Sequence, residues 1–266
     1  MFRALALIFG MFVTACPGAA HEFWIEPHEY QVESGNDLVA DLLVGQTFEG
    51  APQVFFPDRA TRSELMLNGQ IIPYDGRMGD VPAIQVAEPG DGLLVLLHET
   101  RATTLKYKAW EDFAAFAAHK DFPDIEARHA ERGLPPKDFF ESYTRHAKAL
   151  VGVGDAEGAD QETGMETEFV ALANPYSDDL SQGMRVRLLY QGNVRADAQV
   201  EVFDRAPDKT VTVSLYRTDA FGEALIPVLP GHTYLFDAVV LRPAPEGGRP
   251  VWQSLWAALT FAVPGQ

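Results

Sequence analysis

The sequence predicts a mainly β protein: two immunoglobulin-like or prealbumin-like β-sandwiches with a helical insert between them. Two observations carry that prediction. Short apolar runs recur between turn clusters over residues 23–107 and again from residue 166 to the end. Between them, apolar residues fall at three- and four-residue steps, the helical period. The chain's 266 residues suffice for two domains, each able to bury a core.

Residues 1–20 carry one positive charge, Arg3, then the apolar run Ala4–Val13, then the small residues Gly18-Ala19-Ala20. That order is the pattern of a secretory signal, and the apolar run is short for a membrane span. Cleavage after Ala20 would make His21 the first residue and place the protein in the periplasm. An alternative is open: Val13-Thr14-Ala15-Cys16 resembles a lipobox, which would anchor a lipoprotein through Cys16. Cys16 is the only cysteine, so a chain starting at His21 has no disulfide and no thiol chemistry.

The formal charge of −17 becomes −18 once residues 1–20 leave with one cation and no acid. Such a surface repels nucleic acid and anionic lipid, so neither nucleic-acid binding nor membrane insertion after cleavage is expected.

The expected N-terminal sandwich covers 21–107. Phe23-Trp24-Ile25 forms its first strand, with Glu22 and Glu26 expected outward. Residues 37–44 make a strand that stops at Gly45, and Leu65-Met66-Leu67 and Gln70-Ile71-Ile72 form a hairpin through Asn68-Gly69. Ala83–Val86, Leu93–His98 and Thr103–Tyr107 are further strands, the first two separated by Pro89-Gly90-Asp91-Gly92. The insert is placed at 108–152 with three helices: one through Trp110, Phe113 and Ala117, one over 125–132, and one opening at Pro135-Pro136 with Phe139, Phe140, Tyr143, Ala147 and Leu150 in a stripe. Residues 153–165, rich in glycine and acid, read as an exposed linker. The second sandwich covers 166–266, with strands at 184–190, 199–203, 211–216, 235–241 and 256–263.

His21-Glu22-Phe23-Trp24-Ile25-Glu26-Pro27 behind a signal peptide, Val44-Gly45-Gln46-Thr47-Phe48, Glu141–Leu150 and Trp252–Phe261 together resemble the periplasmic proteins grouped as a NikM-like domain of unknown function. Some of these are labelled periplasmic components of nickel or cobalt uptake systems. The resemblance spans nearly all of the mature chain. It implies a bound nickel or cobalt ion and a membrane transporter as partner. More loosely, Thr218-Asp219-x-x-Gly222 with Pro230-Gly231-x-x-Tyr234 is similar to the turns of carboxypeptidase-regulatory and collagen-adhesin B-type sandwiches, a likeness of fold alone.

The chemistry in the residues themselves points the same way. A terminal His21 would offer an α-amine and an imidazole in one chelate, and nitrogen donors favour copper and then nickel. His98 at a strand end, His232 at a loop-to-strand junction and His146 on the expected third helix are the candidates to complete the site. Each is also readable as an ordinary hydrogen-bonded histidine. His28 is expected in a loop, and His119 and His129 on solvated helix faces. A copper enzyme built on a histidine brace, or a metal-free envelope module binding a protein or glycan, are the alternatives. The sequence holds no glycine-rich phosphate loop, HExxH helix or GxSxG elbow, so no enzyme class is singled out.

Overall fold

The computed structural model describes residues 21–265; the expected signal segment and Cys16 lie outside them. The chain opens with β1 (Glu22–Pro27), β2 (Gln31–Val32), β3 (Leu38–Gln46) and β4 (Glu49–Gln53). After a 3-10 turn at Pro57–Arg59 come β5 (Ala60–Leu67), β6 (Gln70–Pro73), β7 (Ile84–Val86), β8 (Gly92–Thr100) and β9 (Thr103–Tyr107). Two helices follow, α1 (Trp110–His119) and α2 (Ile125–Glu131). The rest is β10 (Phe139–Val153), β11 (Thr167–Ala171), β12 (Met184–Tyr190), β13 (Asn193–Val194), β14 (Gln199–Arg205), β15 (Val211–Arg217), β16 (Glu223–Ile226), β17 (Thr233–Pro243) and β18 (Trp252–Ala262).

The mainly β reading is borne out, and the two halves share their middle layer. A ten-stranded sheet runs β15-β14-β17-β18-β10-β8-β5-β6, with β2 and β9 also on β10. One of its faces meets the sheet of β1, β3, β4 and β7; the other meets the sheet of β11, β12, β13 and β16. Side-chain alternation decides the sharing. Leu94 and Leu96 join the core under β1 and β3, whereas Leu93, Val95 and Leu97 join the core under β11 and β12. A strand buried on both faces reads as a continuous apolar run, as β8 does.

That same two-sided burial corrects the expected third helix. Residues 139–153 are β10, a fifteen-residue strand, not a helix opening at Pro135-Pro136. It pairs in parallel with β18 from Glu141↔Trp252 to Ala149↔Thr260, and antiparallel with β9 and β8. Because both faces are covered, its apolar residues lose the strand period, and a chance three-to-four spacing mimics a helix. The helical part of the insert therefore ends with α2. Those two helices cover the ten-stranded sheet beside β1, packing Phe113, Phe116 and Ile125 against Tyr107, Phe139, Trp252 and Trp256.

β1 lies across β10 and β18, where Ala147, Ala149, Ala258 and Thr260 keep the surface low. Thr260 Oγ1 donates to the Ile25 carbonyl at 2.6 Å. The Asn68-Gly69 hairpin forms as expected, both residues taking positive φ. The 153–165 segment is mostly exposed but turns Ala156, Asp160 and Met165 inward. No helix among the described residues is long and apolar enough to cross a membrane.

Candidate functional site

Because β1 is covered on both sides, its acids are not outward as expected. Glu26 pairs with Arg205 at 2.5 Å and accepts the Trp24 indole N–H at 2.7 Å. Glu22 is buried and receives Lys120, the residue that ends α1, at 3.3 Å. The same ammonium donates to Glu201 on β14 at 2.5 Å and to Asp237 on β17 at 2.9 Å. Glu201 and Asp237 are register partners in the ten-stranded sheet, so the sheet itself presents the two carboxylates side by side. Three carboxylates thus converge on one buried ammonium from β1, β14 and β17.

A second cation closes the cluster. Arg145 on β10 is buried, lies 4.1 Å over the Trp256 ring, and leaves one guanidinium nitrogen without a hydrogen bond. Lys120 sits 4.8 Å over the same indole, and Phe116 of α1 stacks on it at 5.7 Å. Burial raises the pKa of Glu22 and of Asp237, with Lys120 opposing the rise. Lys120 shows the balance from the other side: burial works against its charge, but Asp237, Glu201 and Glu22 together push its pKa up. The ion pair is held by its mutual charges, not by solvent.

The opening to solvent is His119. Its side chain is 57% exposed, and its Nε2 sits on the two Glu201 oxygens at 2.9 and 3.1 Å. The hydrogen bond to Glu201 raises the histidine's pKa against partial burial. Below it a polar thread leads inward: the Trp256 indole donates to Ser254 at 2.9 Å, Ser254 donates to Glu141, and Tyr107 donates to Glu141 at 2.7 Å. Burial raises the pKa of Glu141, which has no cation within salt-bridge range among the described residues.

The four sequence-predicted ligands stand in separate environments. His21 is exposed and directly precedes Glu22, at the rim of the ion cluster. His98 is buried between the rings of Phe23 and Phe55, with Nδ1 2.8 Å from the Ser63 hydroxyl. Burial lowers its pKa to about 4, so it is a neutral core histidine. Ser63 borders a small open cleft with Phe55, Arg62 and Tyr74. His146 lies on β10, not on a helix; its Nδ1 is 3.3 Å from the Trp256 carbonyl, and burial lowers its pKa to about 4. His232 pairs with Asp204 at 2.6 Å and stacks on Tyr234.

The other histidines divide. His28 pairs with Asp41 at 2.9 Å. His129 is not solvated: it is buried, accepts the Trp252 indole N–H at 3.0 Å, and places Nε2 2.9 Å from the Pro135 carbonyl. Among the described residues no three His, Cys, Asp or Glu side chains form a group that could hold a metal. Glu22, Glu201 and Asp237 do converge, but on an ammonium that already stands at their centre.

Sequence reasoning missed Lys120, Glu201, Asp237 and Arg145. A signal existed for two of them. Asp237 interrupts the apolar run Leu235–Leu241, and Glu201 sits between Val200 and Val202. A charge in the middle of a buried strand needs a partner, though sequence does not say which.

Comparison with curated proteins returns no match. Among solved structures, the chain is similar to the tetra-tandem repeat in the extending region of a large adhesion protein, at 11% identity and a TM-score of 0.22. That match covers 91% of this chain and 49% of the other, so this chain spans about half the adhesion chain's length. It is also similar to the D0-D1 domain of intimin, at 11% identity and a TM-score of 0.20, covering 90% and 97% of the two chains. A family model spans residues 18–242, and the chain belongs to that family, described as Domain of unknown function (DUF4198).

Proposed function

We propose that this is an exported, non-catalytic protein that captures a transition-metal ion, nickel or cobalt, at the start of β1, for a membrane uptake system. The observation that carries the reading is that His21 directly precedes Glu22, whose carboxylate enters the cluster bearing the half-exposed His119 on Glu201. With His21 as the first residue, its α-amine and imidazole would supply two nitrogen donors, and the His119 imidazole a third once turned from Glu201, a set suited to a borderline divalent ion. The cluster sets three carboxylates against Lys120 and Arg145, which favours added positive charge. His98 and His146 are left out of this site by burial, and His232 by its pairing with Asp204. The transporter partner and the NikM-like label enter only through the sequence resemblance.

Calorimetric titration with nickel and cobalt tests it on protein whose first residue is established as His21. Adding one glycine ahead of His21, or replacing His119 with Ala, is expected to weaken binding at least tenfold. Unchanged affinity in both variants would sink the reading.

A second reading has its own observation. Edge strand β15 exposes Val213 and Leu215, and Phe221 nearby in sequence is 71% exposed. An open strand edge with apolar side chains suits pairing with a partner's strand in a metal-free envelope module. Protein exported by its own signal that neither retains nor binds metal would favour this reading over the first.

A further inference from the structure

On the opposite face of the ten-stranded sheet, a second lysine is fully enclosed. Lys148 of β10 is register partner to Leu259 of β18, and its side chain is 1% exposed. Its Nζ lies 3.1 Å from Oδ1 and 3.4 Å from Oδ2 of Asp160, whose side chain has no exposure. Standing almost equally far from both oxygens, the nitrogen contacts the carboxyl group as a whole. Glu168 of β11 is 2.9 Å from the same Nζ and equally buried. The Gln161 and Phe169 carbonyls, each at 3.0 Å, complete the nitrogen's surroundings.

The Asp160 oxygens are each held by a backbone N–H: Gln161 on Oδ1 and Ala171 on Oδ2, both at 2.8 Å. Glu168 is fixed in turn by the Thr163 and Gly164 N–H groups and the Thr163 hydroxyl. This arrangement holds a nucleophile, an electrophilic carbon, a base and a backbone N–H donor on each carboxyl oxygen in one dry site. Burial foremost raises the pKa of Asp160, with Lys148 opposing, which favours the acid form.

We propose that Lys148 and Asp160 join in an intramolecular isopeptide bond, with Glu168 as the proton shuttle. Glu168 relays a proton from the Lys148 ammonium to the Asp160 carboxylate, and the freed amine attacks the carboxyl carbon of the resulting acid. The backbone N–H on one Asp160 oxygen stabilises the tetrahedral oxyanion formed there, while the other oxygen carries the proton and becomes the departing hydroxyl. Glu168 then takes the second proton from the nitrogen of the tetrahedral intermediate and passes it to the departing hydroxyl; the C–O bond breaks, and one water leaves. Ammonium and carboxylate become amide and water, so atoms and charge balance without a further reactant. The enclosure that excludes water from the site also favours the condensed product. The bond would weld β10 to the 153–165 segment, and it is independent of any metal at His21.

Intact-mass spectrometry of the folded, exported chain tests the assignment. The expected mass is one water below that of the sequence, with a branched tryptic peptide joining the Lys148 and Asp160 segments and no cleavage after Lys148. Glu168→Gln preserves side-chain volume and is expected to restore the full mass in a chain whose circular dichroism is unchanged. Asp160→Asn is expected to lose ammonia in place of water and give the same branched peptide, separating amide formation from other dehydration. A folded parent chain at full mass, cut by trypsin after Lys148, would overturn the proposal. So would a branched peptide persisting undiminished in Glu168→Gln.

Discussion

Glu22 and Lys120 are 98 positions apart in sequence and 3.3 Å apart in space. That contact ties the first described strand to the end of α1, and it is one of three that Lys120 makes with carboxylates. Around it the protein has gathered the start of β1, the exposed His119 and the middle of the ten-stranded sheet.

Lys120→Met keeps most of the side chain's bulk and removes its charge. Glu22, Glu201 and Asp237 would then share a buried space facing only Arg145 and His119. Breaking a buried pair by removing one partner costs about 3–5 kcal/mol, because the remaining charge is left uncompensated. Urea denaturation at neutral pH is expected to report a loss of that size, smaller at acid pH where the carboxylates take up protons.

His98 gives the fold an acid limit. Its pKa is lowered from 6.5 to about 4 by burial. As pH falls below 6.5 the unfolded chain binds this proton first, so stability falls with pH until about 4 and then levels off. His98→Leu removes the group, while Ser63, at the edge of an open cleft, can turn to water. Relative to the variant, the parent is expected to lose roughly 3 kcal/mol between pH 7 and pH 4. A pH-independent difference in melting free energy would contradict this.

Gly45 sits where β3 turns into β4. A Cβ there would lie 1.9 Å from the Glu49 carbonyl oxygen, and backbone cannot retreat as a side chain can. The turn itself places Thr47 and Phe48 at positive φ, so it has little slack. Gly45→Ala is expected to cost about 3 kcal/mol or more, read as a lowered urea midpoint.

Thr260→Val keeps shape and deletes one hydroxyl. The Ile25 carbonyl would lose its 2.6 Å donor in a fully buried position beneath β1. The expected cost is about 1–3 kcal/mol, and amide exchange should quicken across β1 before it does in β17.

Local signals made much of this legible. The Asn68-Gly69 hairpin and the amphipathic α1 follow from turn chemistry and period, and the structure has them; the strand expected to stop at Gly45 is there too, but runs on to Gln46. Residues 139–153 defeated the same reasoning, because burial on two faces erases the alternation that marks a strand. The candidate site was legible only at its rim. His21 could be picked out by its place behind a signal-like segment, whereas Lys120, Glu201 and Asp237 come together through pairings between strands far apart in sequence. The histidines misled for a related reason: a strand end and a charged helix face look alike in sequence whether the ring is solvated, as His119 is, or enclosed, as His98 and His129 are.

The side-by-side run of β18 and β10 has a temporal meaning. β18 follows every other described strand in the chain, yet it stands between β17 and β10, in the middle of the widest sheet. An emerging polypeptide therefore holds two half-sheets with unfilled inner borders until its final described strand arrives. Such distant pairings are slow to close. Until that strand is in place, nothing assembled earlier can lock the sheet.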